Sequence, residues 1–343
     1  MNRLFFDYDL PEKLIAQQAV EPRDSARMLV LHRESGTISH AQVRDLPVFL
    51  SPGDRLVLND TKVIPARLLG RRSTTGGKWE ALFVRETATG EWELLAQTRG
   101  YPQIGEGFDV EPGPFRLTLV GRTADHHWLM RPEPPGAAAD LLPRHGRIPL
   151  PPYIRKGRAV AEDEQRYQTI YAQHPGSIAA PTAGLHFTPE LFDRLHDHGI
   201  DTSWVTLHVG LGTFEPVKTA DPRSHSIHRE WCEVPEATVT AIQTTKAAGK
   251  RIIAVGTTTT RTLETAARPE GLRSFRGESD LYIHPPFEFR VLDGLLTNFH
   301  LPRTTLLLLV QAFAGSEAIQ RAYAEAIRHE YRFYSYGDAM LII

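Results

Sequence analysis

Cysteine is almost missing from this chain: Cys232 is the only one in 343 residues. One thiol excludes an intramolecular disulfide framework and fits a reducing cytoplasm. Long hydrophobic runs are missing too. The longest, "LLLLVQAFAG" from Leu306, is too short to cross a bilayer and reads as a buried helix. The opening "MNRLFFDYDLPEKLIAQ" has no continuous apolar stretch and carries acids early, so it does not read as a secretory signal. Nor is there an excess of charge: 39 Lys and Arg face 41 Asp and Glu, a formal net charge of −2. Any contact with nucleic acid must therefore come from a local patch and not from the overall field. No internal repeat or low-complexity tract is visible.

What is present is an ordinary globular composition, 41% hydrophobic and 23% charged. The length suggests two domains. "ARMLVLHR" (26–33) and "DRLVLND" (54–60) read as strands. From about Ala66 to Pro149 the segments "KWEALFVRE", "EWELLAQTR", "FRLTLVGRT" and "HHWLMRPE" are short, aromatic or alternating, and punctuated by Gly and Pro. That spacing predicts a small antiparallel barrel or sandwich. Beyond Arg147 helical and strand patterns alternate, which predicts an α/β fold with a largely parallel sheet. The expected architecture is an α/β domain of residues 1–65 and 150–343 with a β-barrel domain, 66–149, inserted in it.

Four stretches rich in Gly, Thr and His fall at predicted strand ends, where open α/β sheets bind ligands. The first, "AAPTAGLHFTPE", holds Thr182, His186 and Thr188, the last also a good N-cap before Pro189. The second, "TLHVGLGTFEPV", places His208 in a strand and frees the backbone at Gly210 and Gly212. It lacks the third glycine of a dinucleotide fingerprint. In the third, "AVGTTTTRTLE", a strand ends at Gly256 and four threonines lead into a helix. One cap needs one hydroxyl, so the surplus suggests a ligand, with Arg261 as a partner for a carboxylate. The fourth, "LTNFHLPRTT", holds Asn298 and His300.

A fifth cluster, "SHSIHREW", offers His225, His228 and Glu230 as a weak metal-ligand pattern or an acid–base group. Lys62, Arg67, Arg71 and Arg72 stand at the entry to the predicted barrel, and Arg155, Lys156 and Arg158 at its exit. If the two ends meet at one hinge, these residues form a phosphate-tracking patch. The C-terminal "YRFYSYGDAMLII" has aromatics suited to a core or to stacking on bases.

At these stretches, and at "LVLNDTKVIPARL", "RIPLPPYI" and "RYQTIYA", the chain resembles the S-adenosylmethionine:tRNA ribosyltransferase-isomerase family of queuosine biosynthesis. The resemblance runs in family order from end to end. It implies an α/β domain carrying an inserted barrel. It also implies transfer and isomerisation of the ribosyl part of S-adenosylmethionine onto 7-aminomethyl-7-deazaguanine at the tRNA wobble position. Epoxyqueuosine forms, and adenine and methionine leave. S-adenosylmethionine is then a substrate, tRNA the macromolecular partner, and no metal is expected. A cytoplasmic monomer is the simplest form.

The chemistry implied begins with loss of a proton from C5′ beside the sulfonium. The expected acid–base residues are His186, His208, His228, Glu230 and His300. Substrate contacts are expected from Asp60, Arg67, Thr182, Thr188, Gly210, Gly212, Thr213, Phe214, Gly256, Thr257, Thr258, Arg261, Asn298, Tyr336 and Asp338. The chain departs from the family pattern at Leu211, where Ala is usual, at Thr259, where Ser is common, and at Pro286, where Gly is usual. Two other classes fit parts of the sequence: a non-catalytic RNA-binding protein, and a metal-dependent hydrolase using His225, His228 and Glu230.

Overall fold

A computed structural model describes residues 7–210, 221–225 and 227–343. Its frame is a nine-stranded sheet. From edge to edge the strands are Phe275–Ser279, Glu230–Val234, Asp201–Leu207, Arg55–Asn59, Ile252–Val255, Gly294–Asn298, Ala339–Ile342, Arg27–Leu31 and Ile38–Gln42. The third to sixth of these run parallel. Antiparallel pairs join on both flanks.

The central strands read as near-continuous apolar runs because both faces of the sheet are covered. Val57, Ala254 and Leu295 pack on one face with Leu263, Leu307, Val310 and Ile319 from three helices, Thr257–Ala266, Thr305–Ala314 and Ser316–Arg328. Leu56, Leu58, Ile253, Val255 and Leu296 pack on the other with Phe187, Leu191 and Leu195, the two leucines from the Pro189–Asp197 helix. Each such side chain, fully buried, contributes about 1.5–3 kcal/mol. The apolar run at Leu306 is one of the packing helices, and no helix among the described residues is long and apolar enough to cross a membrane.

The second unit is a closed, antiparallel, six-stranded barrel. Its order is Trp128–Glu133, Trp92–Thr98, Lys78–Glu86, Arg67–Arg72, Gly107–Glu111 and Phe115–Arg122. Trp79, Phe83, Trp92, Phe108, Phe115 and Trp128 fill the interior, joined by Leu141 and Leu142 of the Ala138–His145 helix. Two of the six strands, Arg67–Arg72 and Gly107–Glu111, have only two buried positions each and lie outside the segments the sequence predicts. Gly70 is required there: a Cβ would lie 2.0 Å from the Asp109 carbonyl oxygen.

The basic entry patch is corrected by this arrangement. Arg67, Arg71 and Arg72 sit on a barrel strand and pair with Glu80, Glu111 and Glu106. At the exit Arg155 pairs with Asp163. Lys62, Lys156 and Arg158 remain exposed, without an ion-pair partner among the described residues.

Candidate active site

Parallel strands bring their carboxyl ends to one edge of the sheet. Asn59, Leu207, Val255 and Asn298 are the last residues of the four central strands. Asn59 ties three of these ends together. Its amide donates to the Leu207 carbonyl at 3.0 Å and to Thr258 Oγ1 at 3.3 Å, and its Oδ1 accepts from the Leu207 and Thr61 N–H groups.

After Val255 the chain turns at Gly256, with φ 93° and ψ 153°. Side chains are excluded from that conformation. Among the described residues no side chain caps the helix that follows, so the N–H groups of its first turn are left for another partner. The four threonines then divide. Thr259 and Thr260 donate their hydroxyls to the Val255 and Gly256 carbonyls, four residues back. Thr257 and Thr258 line open space.

That space is two adjoining cavities, which share Thr257, Thr258 and Leu306. Together they make one cleft across the helix N-terminus. The smaller side is lined by His228, Glu230, Arg261 and Tyr282. Here Arg261 and Glu230 form a buried ion pair. The Arg261 guanidinium also donates to the His228 and Ser279 carbonyls at 2.9 and 2.8 Å, while Gly210 N–H donates to Glu230 Oε1 at 2.7 Å. Arg261 is thus committed to a carboxylate of the protein. Only its buried Nε lacks a partner among the described residues.

The larger side is lined by Thr182, Gly256, Asn298, His300, Tyr153, Tyr334 and Ser335. The His300 Nε2 lies 2.9 Å from Thr297 Oγ1, and burial pushes its pKa down to about 3. It is a neutral imidazole at physiological pH. Tyr153 and Tyr334 stand with ring centroids 4.8 Å apart, and Tyr153 Oη is 2.9 Å from Ser335 Oγ. Tyr334 holds a left-handed φ of 73°, rare for a residue with a side chain, a form of strain that clusters at functional sites. The sequence singles out neither tyrosine: Tyr334 lies in an aromatic stretch that core packing explains equally well, and Tyr153 is a lone aromatic in "RIPLPPYIR".

Several expected site residues stand elsewhere. His186 is buried behind the cleft wall and lines neither cavity; its Nε2 is 3.4 Å from the Asn298 amide nitrogen. Burial, and next the Arg332 charge, push its pKa down to about 4. His208 follows its strand instead of lying in it, since that strand ends at Leu207. Its Nδ1 is 2.8 Å from Thr61 Oγ1, and its ring stacks on Trp231. Asp60 accepts from the Thr206 hydroxyl at 2.6 Å and sits 3.6 Å from His174; burial raises its pKa.

Thr188 is a helix cap, accepting from Leu191 N–H. Arg67 is held on the barrel by Glu80 and the Gly157 carbonyl. Tyr336 donates to Asp163, and Asp338 accepts from the Arg27 and Arg332 N–H groups. These four bind structure and line neither cavity. Gly212, Thr213 and Phe214 lie outside the described residues.

The metal reading of His225, His228 and Glu230 is also corrected. Glu230 is occupied by Arg261 and Gly210, and His225 packs edge-on against Tyr282. Among the described residues the three do not converge as a ligand group.

A family model described as "Queuosine biosynthesis protein" matches residues 4–342. An S-adenosylmethionine:tRNA ribosyltransferase-isomerase of Symbiobacterium thermophilum is 48% identical over 98% of both chains. One from Caldanaerobacter subterraneus is 47% identical over the whole of both. The crystal structure of S-adenosylmethionine tRNA ribosyltransferase from Thermotoga maritima aligns with a TM-score of 0.57 and 39% identity, over 98% of this chain and 99% of that one.

Proposed function

The chain belongs to the queuosine biosynthesis protein family, and from that premise we propose that it transfers and isomerises the ribosyl group of S-adenosylmethionine onto 7-aminomethyl-7-deazaguanine at the tRNA wobble position. The products are epoxyqueuosine-tRNA, adenine and methionine. The tRNA substrate puts the reaction in the cytoplasm. The barrel, residues 66–149, acts as a separate inserted domain.

The observation that carries this reading is the continuous cleft across an uncapped helix N-terminus. The first-turn N–H groups with Thr257 and Thr258 suit the ribose hydroxyls or carboxylate of the donor. Tyr153 and Tyr334 offer aromatic faces for a planar base. His300 lines the cleft as a neutral imidazole, its Nε2 2.9 Å from Thr297 Oγ1. In the reaction a base takes the C5′ proton, adenine departs with the electron pair of its glycosidic bond and is protonated, and the aminomethyl nitrogen attacks the sugar. Closure of the epoxide expels methionine, whose sulfur keeps the C–S pair. Asn298 acts as a positioning residue between the cleft and His186.

The test is direct. The protein is mixed with S-adenosylmethionine and tRNA bearing the aminomethyl base, with adenine followed by chromatography and the modified nucleoside by mass spectrometry. Both products are expected. Folded protein that binds the tRNA yet releases no adenine would instead support the RNA-binding reading.

A further inference from the structure

At one edge of the large sheet two imidazoles and a carboxylate converge. His40 lies on Ile38–Gln42, the outermost strand of the large sheet. Glu325 is in the last turn of the Ser316–Arg328 helix, and His329 caps its end. Four residues apart, these two share one helix face. The His40 and His329 Nε2 atoms approach the same oxygen, Glu325 Oε1, at 3.4 and 2.9 Å. All three ligand atoms lie within 4.8 Å of one another.

We propose that His40, Glu325 and His329 bind a divalent first-row transition metal of the zinc class, clipping the edge strand to the helix. Around tetrahedral zinc, with bonds of about 2.0–2.1 Å, neighbouring ligand atoms are about 3.3 Å apart. Two of the three separations are already close to that. Two imidazoles with one carboxylate favour zinc over magnesium or calcium, which take oxygen ligands. The other nitrogen of His40, Nδ1, is 2.8 Å from Tyr331 Oη. An Nδ1–H donated to that oxygen leaves the Nε2 lone pair free for a metal, the outer-shell support such ligands ordinarily have. The helix C-terminus adds a favourable negative potential.

The competing cations are accounted for. Arg328 pairs with Glu325, but it is exposed and such pairs contribute little. Arg27 lies over the Tyr331 ring and donates to the His329 carbonyl and Asp338. Water completes the fourth position.

Cobalt(II) titration followed by visible absorption, with zinc chloride as competitor, tests this on the full chain. One equivalent is expected to bind wild-type protein and to be displaced by zinc. His40→Ala and His329→Ala each weaken binding at least tenfold, and Tyr331→Phe about tenfold. Zinc raises the unfolding temperature of wild-type protein and leaves that of His40→Ala unchanged. His40 and His329 are exposed, so their alanine variants fold, and the buried Tyr331 keeps its ring in Tyr331→Phe; circular dichroism checks all three. Equal affinity in wild type and both histidine variants overturns the site, as does magnesium giving the same thermal shift as zinc.

Discussion

Two buried histidines set a chemical limit on this protein. His186 and His300 are held neutral by burial, with pKa values pushed down to about 4 and about 3. Unfolded, each takes up a proton near pH 6.5. Between that pH and the depressed values the unfolded chain binds more protons than the folded one. Stability therefore rises with pH across the window and falls as the pH drops through it, by about 1.4 kcal/mol per unit for each histidine. Urea unfolding at pH 7, 6 and 5 is expected to show this loss. Replacing both by glutamine should flatten it; a wild-type stability that is level from pH 7 to 5 would contradict the assignment. His208 is lowered in the same direction by burial.

At the level of elements, the chain uses helix N-termini in two ways. The Pro189–Asp197 helix is closed by the Thr188 side chain, while the Thr257–Ala266 helix begins at Gly256 with no side-chain cap. Both sequences offer threonine, so composition alone does not separate them. Geometry does: only the second opens into the cleft. Thr188→Ala is expected to cost about 1 kcal/mol of stability and to leave the KM for S-adenosylmethionine unchanged. Thr257→Val is expected to raise that KM with little loss of stability. Steady-state kinetics beside thermal unfolding separates the two, and a raised KM in Thr188→Ala would return that residue to the substrate site.

Taken whole, the molecule joins a sheet edge that carries chemistry to a barrel whose charges are mostly spent on themselves. Arg67, Arg71, Arg72, Arg85 and Arg116 all pair with carboxylates. At the junction Lys62, Lys156 and Arg158 are exposed and have no ion-pair partner among the described residues. Binding of tRNA should weaken steeply with salt, because each neutralised phosphate releases counterions. Replacing the three by alanine is expected to reduce the slope of log affinity against log salt by about 2–3. Replacing Arg71 and Arg72 should leave it nearly unaltered. If the arginine pair changes the slope more than the other three, the patch lies on the barrel.

Much of this protein was legible in the linear chain. Apolar runs of strand length, Gly and Pro punctuation and helix caps are local signals, and they specified the α/β frame, the inserted barrel and the strand-end motifs. The family resemblance rests on the same short-range patterns and is the family that matches residues 4–342. Side-chain direction was not legible, because it depends on which strands become neighbours. His186 and His300 read alike as histidines in polar motifs, yet only His300 lines the cleft. Arg261 read as a free carboxylate partner until Glu230 arrived from an adjacent strand to bury it. His40 and His329 are 289 positions apart and carried no signal at all until the sheet edge met the helix end. Local preference acts through neighbours in sequence; a site is made by neighbours in space, and only the packed sheet decides who those are.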